Sequence, residues 1–116
     1  LPLFVEYGVS LILNGHNHLY ERLHFNGIEQ VNAGPAGGGF CPVKEADVYA
    51  ERIASETRTV TLFQFFTYGE MEIVTYDIET GKVIDHIVRE LPKVSSDSDS
   101  NLDVAQIANP ASTRLY

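Results

Sequence analysis

Leu3, Phe4 and Tyr7 put apolar side chains three or four positions apart, and the pattern stops at Gly8. This predicts the last turns of a helix with a glycine in its C-terminal cap. A chain that begins inside a helix resembles the carboxy-terminal part of something longer; the alternative is a trimmed domain that starts at Leu1. Val9-Ser-Leu-Ile-Leu follows as a short, nearly continuous apolar run, the pattern of a strand buried on both faces in a parallel sheet. Helix, glycine and buried strand make half of an α/β unit. Beyond it the pattern turns to β. Residues 23–32 carry Asn26-Gly27 between two strand-like pieces, and Asn-Gly suits the positive φ angles of a tight hairpin. Residues 33–42 hold four glycines and two prolines and must be a loop. Residues 59–66, 70–78 and 82–88 predict three strands, the last two joined by Glu79-Thr80-Gly81. In the middle one Met71 and Ile73 alternate with Val74, Tyr76 and Ile78, so both faces are apolar and the strand should lie between layers. Residues 43–58 fit either a short helix over 45–53 or an insertion.

The expected fold class is therefore α/β, largely β after the first helix–strand unit. Residues 1–91 form one unit. Residues 92–116 form an acidic, Ser/Asp-rich linker and tail, because 95–101 contains no apolar residue to offset the entropy of ordering a backbone.

Composition narrows the function classes. The net charge is −8, from 16 acidic against 8 basic residues, and no basic patch is present, which argues against nucleic acid as a partner. No apolar run approaches the ~20 residues of a membrane-spanning helix. Cys41, the single cysteine, cannot form an internal disulfide. The glycine-rich loop lacks the Lys-Ser or Lys-Thr that would make it a phosphate-binding P-loop.

The chemistry-bearing stretch is Gly15-His-Asn-His, just past the strand-like run. On an extended backbone, residues two apart point the same way and lie about 6.5–7 Å apart at roughly 3.3 Å of rise per residue. His16 and His18 could then converge on one metal, or each take one of two metals roughly 3.5–4 Å apart. Gly15 would let the chain turn sharply and leave room beside the site. Sites in open α/β sheets form beyond the carboxyl ends of strands, which is where this pair sits. The alternative is that one histidine caps a loop while the other is solvated. For His24 and His86, on probable strands, a cross-strand or surface role is expected.

The longer stretch Gly15-His-Asn-His-Leu-Tyr-Glu-Arg22 resembles the last metal-binding motif of the calcineurin-like metallophosphoesterases, in particular the purple acid phosphatase branch. The lead-in from Pro2 to Val9, the glycine-rich loop and the Tyr76-Asp-Ile-Glu-Thr-Gly-Lys hairpin are similar to that family too; the tail is not covered. The resemblance implies the C-terminal part of an α/β/β/α sandwich. It also implies a dinuclear centre of iron with zinc, manganese or a second iron, with His16 on the divalent metal and His18 on the ferric one. Such a centre would bind phosphate oxygens and lower the pKa of a bound water, so the implied activity is acid-phosphatase-like hydrolysis of a small phosphate ester. Tyr20, Glu21 and Arg22 match the motif, but holding the loop and packing are the first expectation for them.

The family's remaining ligand motifs, Asp-x-His, Gly-Asp, Asn-His and a further His, are absent from these residues. The chain on its own should be inactive and should need a missing N-terminal part of the same protein. The resemblance leans towards a secreted enzyme. Two rivals stay open: a non-catalytic accessory or binding module, and a truncated inactive remnant of the same fold.

Overall fold

The computed structural model describes residues 2–93. The acidic linker and tail expected over residues 92–116 lies, beyond residue 93, outside the described residues. Chain order is α1 (Pro2–Glu6), β1 (Leu11–Asn14), β2 (Tyr20–Phe25), β3 (Ile28–Ala33), β4 (Ala50–Ala54), β5 (Thr59–Phe66), β6 (Glu70–Asp77) and β7 (Val83–Glu90). The described chain is thus largely β, with one short helix and two sheets.

The first sheet has the order β1-β3-β2-β4, with β1 parallel to β3 and the other pairs antiparallel. Asn26 (φ 49°) and Gly27 (φ 77°) close the β2–β3 hairpin in the left-handed region, as that dipeptide predicts. β4 settles the open stretch 43–58: it pairs with β2 through a register shift at Arg22/Leu23, and no helix forms there. The second sheet is the antiparallel meander β5-β6-β7.

The sheets pack face to face. Tyr20 and Val31 from the first meet Met71 and Ile73 from the second, all at most 1% exposed, with Leu11, Phe63, Ile84 and Ile87 closing around them. The same junction carries ions. Arg22 on β2 reaches Asp85 on β7 (Nε–Oδ2 2.7 Å) and Glu29 on β3 (3.2 Å), and also contacts Glu51 on β4. Arg89 on β7 meets Glu29 at 2.6 Å and Glu51 at 3.1 Å, and the Tyr20 hydroxyl donates to Asp85 at 2.8 Å. Two arginines therefore tie four strands from both sheets.

Two burial expectations are corrected. Leu11 and Ile12 of β1 are only half-buried and Leu13 and Asn14 are exposed, because β1 is an edge strand among the described residues. β6 buries Met71, Ile73 and Thr75, while Val74 and Tyr76 on the other face are half-buried and Ile78 is exposed. One face of that strand meets the core, and nothing described covers the other. The apolar side chains of α1 are exposed for the same reason.

Candidate functional site

Topology creates the site. β1 and β3 run parallel and β2 lies on the far side of β3, so residues 15–19 must arch over the carboxyl end of β3 to reach β2. His16 and His18 lie on this arch, and both are exposed. Here the structure departs from the extended geometry expected for Gly15-His-Asn-His. The arch is a run of bends, and His16, rather than Gly15, takes the left-handed conformation at φ 80°. A non-glycine residue there costs about 1–3 kcal/mol and persists only where its surroundings impose it. Simple alternation of side chains does not describe the pair.

The arch is held from below and from the side. Asn32, near the end of β3 and 1% exposed, donates Nδ2 hydrogen bonds to the carbonyls of Asn17 (2.9 Å) and Leu19 (2.8 Å), which flank His18. The glycine-rich loop then returns past the arch. Cys41 N–H donates to the His18 carbonyl at 3.0 Å, and His18 Nδ1 lies 2.6 Å from the Gly39 carbonyl. A carbonyl can only accept, so Nδ1 carries the proton, and in the neutral ring Nε2 keeps its lone pair. Metal-ligating histidines usually have this arrangement, with the other ring nitrogen donating to a carbonyl or carboxylate. The donor set therefore fits a metal at His18 Nε2, with the exposed His16 two residues away on the same arch.

Among the described residues, no group of three or more His, Cys, Asp or Glu side chains stands close enough to hold a metal ion. His24 is engaged across the hairpin with Glu29 (2.6 Å) and His86 with Glu72 (2.7 Å), the cross-strand and surface roles expected of them. Two histidines alone cannot complete a dinuclear centre. Beside the arch lies a cleft of about 520 Å³ that includes Asn17, Leu19, Glu21, Cys41 and Lys44 in its wall. Partial burial and the charge of Asp47 raise the Glu21 carboxyl above the usual range. Sequence reasoning noted the glycine-rich loop as a loop and as part of the family resemblance but gave it no contact with the histidines, and it did not single out Asn32. What the chain itself offers for either is position, since Asn32 sits near the end of β3 and the loop follows directly after Ala33.

Tyr20 and Arg22 take the packing role. Burial of the Tyr20 phenol raises its pKa, and the hydroxyl serves as a donor to Asp85. Burial opposes the charge of Arg22, but its hydrogen bonds to Asp85, Glu51 and Glu29 outweigh this and raise its pKa. Burial likewise opposes ionisation of Asp85, yet the bonds from Arg22 and Tyr20 hold its carboxyl below the usual range.

No protein-family model matches the chain, and no curated protein matches it. A solved structure described as GAP50, the anchor in the inner membrane complex of Plasmodium, shares the fold, with a TM-score of 0.75 and 16% sequence identity. The alignment covers 93% of this chain and 34% of that one, so the chain spans about a third of the length of the structure it matches. These findings correct the family resemblance drawn from Gly15–Arg22. The matching structure bears the name of an anchor, and no family model supports membership. The physical reason lies in how short the motif is. Two of its specified positions, Tyr20 and Arg22, are accounted for by the junction between the sheets, so the match has fewer independent points than its eight residues suggest. No described helix is long and apolar enough to cross a membrane.

Proposed function

We propose that the whole protein hydrolyses phosphate esters at a dinuclear metal centre, and that this chain contributes two of the ligands, His16 and His18. The observation that carries this is the Gly39 carbonyl on His18 Nδ1, which leaves Nε2 as a lone-pair donor on an exposed arch. Its position beyond the carboxyl ends of the parallel strands β1 and β3 adds support, as do the apolar faces of α1 and of the second sheet that no described residue covers. In the proposed complete fold these faces are covered, giving an α/β/β/α sandwich of which the described residues form the C-terminal part.

The residues present have defined tasks in this scheme. Gly39 fixes the His18 tautomer, Asn32 fixes the arch, and the arginine-bridged sheets keep the carboxyl ends of β1 and β3 in place beneath it. When bound, the metals supply Lewis acidity towards phosphoryl oxygens and acidify water. Imidazole nitrogens suit iron, zinc and manganese alike, so these two ligands do not select the pair. The remaining ligands would come from outside the described residues.

A second reading has its own support. A non-catalytic binding or anchoring module of the same fold would agree with the printed name of the structural neighbour and with the lack of a three-ligand group among the described residues. Hydrolysis of a chromogenic phosphate monoester by the intact protein separates the two. The enzyme loses turnover on dialysis against a chelator and regains it with added zinc, iron or manganese, whereas the module shows no turnover under any metal regime.

A further inference from the structure

We infer that Asn32 and the Gly38–Gly39 pair form a cradle that fixes the direction and tautomer of His18. The inference rests on the metal-ligand assignment for its purpose, but its geometry stands on three independent contacts. First, Asn32 Nδ2 donates to two carbonyls, those of Asn17 and Leu19, so the backbone on either side of His18 is pinned to the end of β3. The amide orientation is forced, because Oδ1 in that position would face two acceptors. The consequence is visible on its other side: Asn32 Oδ1 is buried and has no hydrogen-bond partner among the described residues.

Second, the Gly39 carbonyl lies 2.6 Å from His18 Nδ1 and selects the Nδ1–H form. Third, Gly38 makes room for the ring. A Cβ at Gly38 would stand 2.8 Å from His18 Cε1 and 3.0 Å from Nδ1. No positive φ is needed at Gly38, so glycine is there for space rather than for backbone freedom. Any side chain at position 38 would displace the imidazole, which is the movable partner in that contact. Asn32 thus sets where the His18 backbone lies, Gly38 where the ring can lie, and Gly39 which nitrogen is free. All three are positioning residues.

The test uses the intact, metal-free protein labelled with 15N-histidine. Long-range 1H–15N correlation reports the tautomer of each imidazole, and His18→Gln identifies the signal. The wild type should show His18 as Nδ1–H at a pH where the ring is neutral. In Gly38→Ala the signal should move towards the Nε2–H form that an unconstrained histidine favours, while His24, held by Glu29, stays unchanged. Zinc titration by calorimetry should show affinity weakened about 10–100-fold in Gly38→Ala and in Asn32→Asp, where a carboxylate replaces the donor. His18 as Nε2–H in the wild type, or a Gly38→Ala signal identical to the wild type, overturns the cradle. The expected tautomers without zinc affinity in the wild type would uphold the cradle and overturn the metal-ligand assignment. The wild-type tautomer needs only the signal assignment from His18→Gln, so misfolding of Gly38→Ala or Asn32→Asp leaves that part of the test intact.

Discussion

Replacing Arg22 with methionine should destabilise the protein by about 3 kcal/mol, and the structure indicates where that cost arises. Arg22 makes three ion pairs, but their partners are not equally dependent on it. Glu29, 1% exposed, would keep Arg89 at 2.6 Å and His24 at 2.6 Å. Glu51, with 42% of its side chain exposed, would keep Arg89 and water. Asp85, 9% exposed, would keep no cation, only the Tyr20 hydroxyl at 2.8 Å and the backbone N–H of His86. The penalty is therefore that of one buried carboxylate stripped of its cation, about 3–5 kcal/mol, placed at the lower end because Tyr20 still donates. The double substitution Arg22→Met with Asp85→Asn removes the orphaned charge and should recover about 2 kcal/mol relative to the sum of the single changes. Urea denaturation of the intact protein, followed by far-ultraviolet circular dichroism, gives the four midpoints of the cycle. A cost below about 1 kcal/mol for Arg22→Met, or strict additivity with Asp85→Asn, would mean that the inter-sheet ions act as surface pairs do, and the packing role given to Arg22 would fail.

The same network gives the protein an acid limb. The Asp85 and Glu51 carboxyls are held below their ordinary values in the folded state, so their stabilisation is fully present above the unfolded values near pH 4 and is lost as pH falls through the depressed ones. Asp85→Asn should flatten the melting temperature against pH below about 4; an unchanged slope would contradict this. Glu21 shifts the other way, so its ionisation disfavours the fold as pH rises past its unfolded value, and Glu21→Gln should raise the melting temperature at pH 7 but not at pH 3. His16→Gly should raise stability by about 1 kcal/mol by relieving the left-handed backbone, while His16→Ala should not; equal effects of the two would show that φ 80° imposes no strain. Residues 1–93 expressed alone should bind a hydrophobic dye and aggregate, because Val60 (46%), Leu62 (56%) and Val88 (46%) leave the outer face of the second sheet apolar and bare. A sharp, cooperative melt of a soluble monomer would show the opposite.

Those bare faces also mark where the sequence was informative and where it was not. Signals carried within a few residues were legible: the α1 stop at Gly8, the Asn26-Gly27 hairpin and the three strands of the meander each advertise themselves by local pattern. β4 was not legible, since Ala50–Ala54 is a strand because of its pairing with β2 and carries little apolar alternation of its own. The ion network joins positions 22, 29, 51, 85 and 89, a relation that no local window contains. At the arch, the placement of two histidines just past a strand was legible. The left-handed His16 and the contacts of His18 with Gly38 and Gly39 were not, because they depend on the crossing of the arch over β3 and the return of a distant loop. The eight-residue resemblance stretched furthest beyond its support, since part of it records how two sheets are joined.

The most direct test of His16 and His18 as metal ligands is the metal content of the intact protein and its single variants, measured by inductively coupled plasma mass spectrometry after exhaustive desalting. Two metals per wild-type chain, falling to about one in His16→Ala and in His18→Ala with His24→Ala unchanged, is the result expected of two ligands each serving one metal. A His16→Ala or His18→Ala protein that folds and retains the full wild-type complement would contradict the assignment.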